Sequence, residues 1–265
     1  MVAAHDGDPR GTCPTCGAAL LTDKPFCTTC ERLMTGATTR RSRPGQRQRR
    51  TRRALGDLKG ALELWVVLLI TSAAASLVAA FSELEWPLID AVVSCLVAAI
   101  VLFWCWGDRS RIRPLLAEPG FRGNNWWITP LVLLGFGLFM TAYMSLLELT
   151  RVGVESYVTP FRDAGWPMWT AFLLISVHPA IFEEFAFRGV IQERLGLVMQ
   201  PRDTLIVQAA MFSVLHMLPL IFVSHFVLGL ALGWLRLRTG SLLPCMLVHG
   251  LWNAWVLMGE LTGGA

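Results

Sequence analysis

Residues 167–189 read PMWTAFLLISVHPAIFEEFAFRG. An apolar run from Pro167 to Phe182 leads straight into two adjacent glutamates and, four residues after Glu184, an arginine. The run is close to the roughly 20 residues that a bilayer-spanning helix needs. Its end carries three ionisable groups, which a hydrocarbon core tolerates only where they have partners or a use. On a helix Glu184 and Arg188 are i,i+4 neighbours and can pair, while Glu183 points about 100° away. One carboxylate is then held by the arginine and the other can face a cavity, which suits a general base. A helix end emerging into the cytoplasm, with all three groups solvated, accounts for the same spacing.

The whole chain shares this apolar character. Its 265 residues are 54% hydrophobic and 16% charged, with eleven tryptophans and two tyrosines. That composition excludes an ordinary soluble domain and fits a polytopic membrane protein. The apolar runs are continuous and not alternating, which argues against a barrel, and open strands would leave backbone groups unpaired in lipid. The expected fold is all-α: a transmembrane helix bundle occupying 60–265, with about seven spans near 62–82, 86–106, 126–148, 167–187, 204–218, 220–236 and 241–260.

Charge is distributed unevenly. Residues 1–60 hold 12 Lys/Arg and 5 Asp/Glu, and the remainder holds 11 and 14. The stretch RRSRPGQRQRRTRR, within an expected disordered linker at 35–59, has eight arginines and no acid. It reads as a topology signal that keeps the N-terminus cytoplasmic and can touch anionic lipid; nucleic acid is the weaker partner. With an odd number of spans, the arginine-bearing loops after the second, fourth and sixth fall on the same side as the tail. No secretory signal opens the chain. An integral protein of a prokaryotic plasma membrane is the expectation.

Residues 1–34 carry Cys13-Pro14-Thr15-Cys16 and Cys27-Thr28-Thr29-Cys30. Two CxxC knuckles can close a tetrahedral structural zinc site, so a small N-terminal zinc ribbon is expected, with Cys13, Cys16, Cys27 and Cys30 as ligands. A disulfide pair or a redox CxxC is the alternative. Cys95, Cys105 and Cys245 lie in apolar runs and read as small buried hydrophobes.

The later spans hold more polar groups. Phe212-x-x-x-His216 places an imidazole at membrane depth. His249-x-x-x-Asn253 stacks two hydrogen-bonding side chains on one helix face. Phe226-x-x-Gly229-x-x-x-Gly233 reads as a close helix packing site. His178 and His225 have no i,i+4 polar partner and read as structural. Bundling would bring Glu183, His216, His249 and Asn253 into one polar pocket.

These four motifs, EExxxR, FxxxH, FxxGxxxG and HxxxN, stand in that order on successive helices, and together they resemble the CPBP family, the CAAX-protease and bacteriocin-processing (Abi) proteins. The resemblance covers about 167–260. It implies an intramembrane endopeptidase acting on a membrane-associated protein or peptide. It further implies that Glu183 activates a water that His216 shares, that His249 and Asn253 stabilise the oxyanion, and that Glu184 and Arg188 hold the helix and tune Glu183. Glu plus two His can ligate zinc, but no HExxH motif is present, so metal-free chemistry is expected at the membrane site and a metal there stays open. Two other classes compete: a non-enzymatic scaffold that recruits a partner through the zinc ribbon and basic linker, and a small transporter using the acids as a proton relay.

Overall fold

The structure is a computed structural model that describes residues 44–117, 120, 127–149, 156–217 and 219–263. Cys13, Cys16, Cys27 and Cys30, and with them the expected zinc ribbon, lie outside the described residues. Every described regular element is a helix.

Helix α1 (Pro44–Phe81) leads into α2 (Trp86–Gly107), the short α3 (Arg109–Ala117) and α4 (Ile128–Leu149). After the one-turn α5 (Thr159–Asp163) comes the long α6 (Met168–Leu195), then α7 (Pro201–Leu215), α8 (Pro219–Thr239) and α9 (Leu243–Thr262). Several of these helices start at a proline, whose fixed φ suits the first turn and whose missing N–H costs nothing there. The arginine-rich stretch, expected to be disordered through residue 59, is helical from Pro44 on. Arginine is a good helix former, and the run continues unbroken into the apolar part of α1, which carries its helix forward.

Five described helices are long and apolar enough to cross a membrane: Thr51–Phe81, Trp86–Gly107, Ile128–Leu147, Met168–Leu195 and Ile221–Thr239. The chain is thus an integral membrane protein. The two other spans expected from the sequence differ. α7 has 15 residues, about 22 Å at 1.5 Å per residue, which falls short of a hydrocarbon core of about 30 Å. α9 has 20 residues and is long enough, but His249, Asn253 and Glu260 dilute it, and it is not among the five.

Ion pairs mark one face of the bundle. Arg194, at the end of α6, donates to Asp108 from Nε at 2.6 Å and from Nη2 at 3.0 Å. Arg111 of α3 donates to Asp57 of α1 at 2.8 Å, and Arg236 of α8 pairs with Glu193. At the other end, Glu260 of α9 accepts from the Ser156 hydroxyl at 2.6 Å and from the Val158 amide at 3.0 Å. Trp166, just before α6, donates to Glu85 in the α1–α2 connection at 3.1 Å.

The core lies where α6, α7, α8 and α9 meet, around Phe187, Phe212, Leu232, Leu235 and Val248. α7 and α8 form a helical hairpin packed backbone to backbone. A Cβ on Gly229 would stand 2.9 Å from the Cα of Ala209, so only glycine permits this approach.

Candidate active site

The carboxylates sit well inside α6, a 28-residue helix. The helix does not emerge at residue 187 as the spacing allowed; it continues to Leu195. Two π-helical segments, Phe172–Val177 and Phe185–Ile191, flank the α-helical stretch His178–Glu184. Such widened turns re-aim the side chains that follow them and recur at functional sites.

Glu184 and Arg188 pair at 2.9 Å, and neither side chain has any exposed surface. The helical period places them there, and burial raises the stakes of the pair, since an unpaired charge at this depth is costly. The guanidinium also lies 4.6 Å above the Phe212 ring and reaches the Gly229 carbonyl at 3.4 Å. His249 from α9 completes the group: its Nδ1 donates to Glu184 Oε1 at 2.8 Å. A carboxylate accepts, so this bond puts a proton on Nδ1 and turns Nε2 toward Glu183, whose Oε2 is 3.9 Å away.

Glu183 is the odd one out. Its side chain keeps 21% of its surface, while its Oε2, like Glu184 Oε2, is buried without a hydrogen-bond partner among the described residues. The two adjacent glutamates therefore have different environments: one locked between two cations or donors, the other open.

Asn253 does something that spacing could not show. Its Nδ2 donates to the carbonyl of Ile175 at 2.9 Å. In an α-turn that carbonyl would accept from residue 179, which is a proline without an N–H. Asn253 thus supplies the donor that Pro179 lacks and ties α9 to α6; the Ser176 hydroxyl reinforces the contact by donating to the Gly250 carbonyl at 2.8 Å. Asn253→Ala is expected to destabilise the folded protein by about 1–3 kcal/mol. The same substitution should cost clearly less beside Pro179→Ala, which restores a backbone donor; thermal unfolding of the four proteins in detergent measures the coupling.

His216 ends α7 and reaches the group through aromatic contacts. Its Nδ1 donates to the Phe212 carbonyl at 3.0 Å, and its ring meets the Phe212 ring edge to face at 5.0 Å. Phe212 is the hub of the site, because the His249 ring also approaches it, at 6.1 Å. The FxxxH spacing has this physical content: the phenyl ring spaces the imidazole and carries the arginine.

Sequence reasoning missed two glutamines. Gln192 donates to the Gly233 carbonyl at 3.0 Å and Gln208 to the Gly229 carbonyl at 2.7 Å, both fully buried. Each continues an i,i+4 stripe, Glu184–Arg188–Gln192 on α6 and Thr204–Gln208–Phe212 on α7, and that polar stripe in an apolar helix was the available signal. The glycines of FxxGxxxG therefore do more than permit packing; they expose carbonyls to side chains of two neighbouring helices. An apolar groove between α4 and α8, lined by Phe136, Phe139, Val227 and Trp234 among others, holds no ionisable group and none of the site residues.

Among the described residues no three of His, Cys, Asp and Glu come together as a metal-ligand cluster. Nδ1 of His216 and Nδ1 of His249 each bind another acceptor, which leaves the Nε2 atoms free of those bonds.

Residues 165–255 match the family model for "Type II CAAX prenyl endopeptidase Rce1-like". The matched stretch is similar to that family, and it contains each residue of the site described above. No curated protein and no solved structure matches the chain.

Proposed function

We propose that this protein is an intramembrane endopeptidase that hydrolyses a peptide bond in a membrane-associated protein or peptide, with Glu183 as the general base. One observation carries the reading: of two adjacent glutamates, Glu184 has no exposed side-chain surface and binds both Arg188 and His249 through Oε1, while the Glu183 side chain keeps 21% of its surface and stands 3.9 Å from His249 Nε2. In this scheme Glu183 takes a proton from a water whose oxygen attacks the carbonyl carbon. His216, with Nδ1 held by Phe212, accepts the second water hydrogen at Nε2. His249 Nε2–H and the second amide N–H of Asn253 meet the oxyanion. The C–N bond then breaks as Glu183 returns the proton to the leaving amine. With His249 as an imidazolium, Glu183, Glu184, Arg188 and His249 sum to zero charge, which makes the group tolerable in a membrane.

The ion pairs at the ends of α1, α3, α6 and α8 fit the cytoplasmic face, the side the arginine-rich segment selects. Spacing alone supports a structural zinc on Cys13, Cys16, Cys27 and Cys30. Purified protein should carry about one zinc per chain by elemental analysis, and Cys13→Ser/Cys16→Ser should carry none.

The test of the function compares protein termini. Wild type and Glu183→Gln are expressed equally in a host lacking the gene, and new peptide ends in the membrane fraction are catalogued by mass spectrometry. Ends found only with the wild type establish proteolysis and name a substrate. Identical catalogues from two folded proteins, across several hosts, would sink the peptidase reading in favour of a scaffold.

A further inference from the structure

His225 lies outside the motifs that pointed to the site, yet it sits against one of its imidazoles. The chain turns sharply after His216 through Met217, whose φ of 52° is left-handed and rare for a side chain of this kind. The turn lays the start of α8 beside the end of α7. The His216 and His225 rings then lie 3.8 Å apart between centroids, inclined by 41°.

Both rings are pinned in the same way. Nδ1 of His216 donates to the Phe212 carbonyl, and Nδ1 of His225 donates to the Ile221 carbonyl at 2.9 Å. A carbonyl only accepts, so each neutral ring carries its proton on Nδ1 and leaves the Nε2 lone pair unused. Phe212 borders both rings, its centroid 5.0 Å from His216 and 5.9 Å from His225. One hydrogen bond through Nδ1 leaves an imidazole free to swing about that bond. Phe212 meets the His216 ring edge to face and His225 packs against it from a second direction, so both hinder that swing.

We propose that His225 is a positioning residue for the reaction: its ring packs on His216 and holds the imidazole plane, so that Nε2 keeps a single direction toward the catalytic water. The proposal rests on the peptidase reading for its kinetic consequence, not for its geometric one. A base misplaced by about 1 Å can lose about 10²-fold in rate, so a ring that only touches another ring can matter to turnover.

Three variants of the full-length protein test this: His225→Phe keeps a flat ring, His225→Asn keeps a donor for the Ile221 carbonyl without the ring, and His225→Ala keeps neither. With a substrate found by the terminus comparison, His225→Ala and His225→Asn are expected to lower kcat about tenfold at unchanged KM, and His225→Phe to stay near wild type. Wild-type kcat in both ring-less variants would overturn the proposal. Equal loss in all three would also overturn it, by assigning the role to imidazole chemistry and not to packing.

A second readout needs no substrate. Carbethoxylation of His216 by diethyl pyrocarbonate, followed by mass spectrometry, should speed up several-fold in His225→Ala and His225→Asn and not in His225→Phe. Unchanged labelling in the ring-less variants overturns the positioning role even where proteolysis is confirmed. The expected labelling in a protein that cleaves nothing overturns the peptidase reading alone.

Discussion

Glu183→Gln is expected to lower the rate of peptide hydrolysis by about 10²–10⁴-fold, the range for loss of a general base, with the protein still folded. Glutamine keeps the volume and one carbonyl oxygen of the side chain but cannot take the proton from water. Folding should survive because the facing charged group, His249 Nε2, is 3.9 Å from Glu183, beyond hydrogen-bond range, whereas Glu184 beside it makes two hydrogen bonds. Glu183→Asp retracts the carboxylate by one methylene and should fall between the two, since the chemistry remains and the geometry does not. The measurement is single-turnover cleavage of a substrate identified from the membrane peptide catalogue, alongside the unfolding temperature of each variant. Full activity in a folded Glu183→Gln protein would remove Glu183 from the mechanism.

Arg188→Met should have the largest effect on stability, a loss of about 3–5 kcal/mol, as when one partner of a buried ion pair is removed. Arg188 is the largest fully buried side chain among the described residues. It joins three helices: Glu184 on its own α6, the Phe212 ring on α7 and the Gly229 carbonyl on α8. Methionine fills much of the space but leaves the Glu184 carboxylate facing only His249. The penalty is electrostatic if Arg188→Met/Glu184→Gln regains most of the lost stability, because the glutamine carbonyl still accepts from His249 while no bare charge remains. Thermal unfolding in detergent compares the single and double variants. A double variant as unstable as the single one would place the cost in packing against Phe212 instead. Activity should be low in both, since the pair also sets the charge beside Glu183.

Much of this was readable from residue spacing. The apolar runs announced membrane helices, and the helical period alone placed Arg188 one turn from Glu184 and separated Glu183 from both. Four polar motifs in order drew Glu183, His216, His249 and Asn253 toward one pocket. Other features were invisible because they depend on what stands across a gap between helices. His225 was read as structural for want of a partner four residues away, yet its neighbour is on another helix, nine residues back along the chain and across a tight turn. Asn253 looked like a free amide until Pro179 left a carbonyl facing it.

Residue order was enough to specify an integral membrane protein of helices and its local i,i+4 pairs, because helix period and bilayer thickness act on a segment alone. It also led to an expectation of about seven spans, where five described helices are long and apolar enough to cross a membrane. Helix packing set the rest: Glu184 is the carboxylate without exposed surface and Glu183 the one that keeps some, the Phe212 ring lies against the Arg188 guanidinium and borders three imidazoles, and His249 donates to Glu184 on α6. Those outcomes follow from how four helices pack, and burial and partner choice are set by neighbours in space, which no period along the chain encodes.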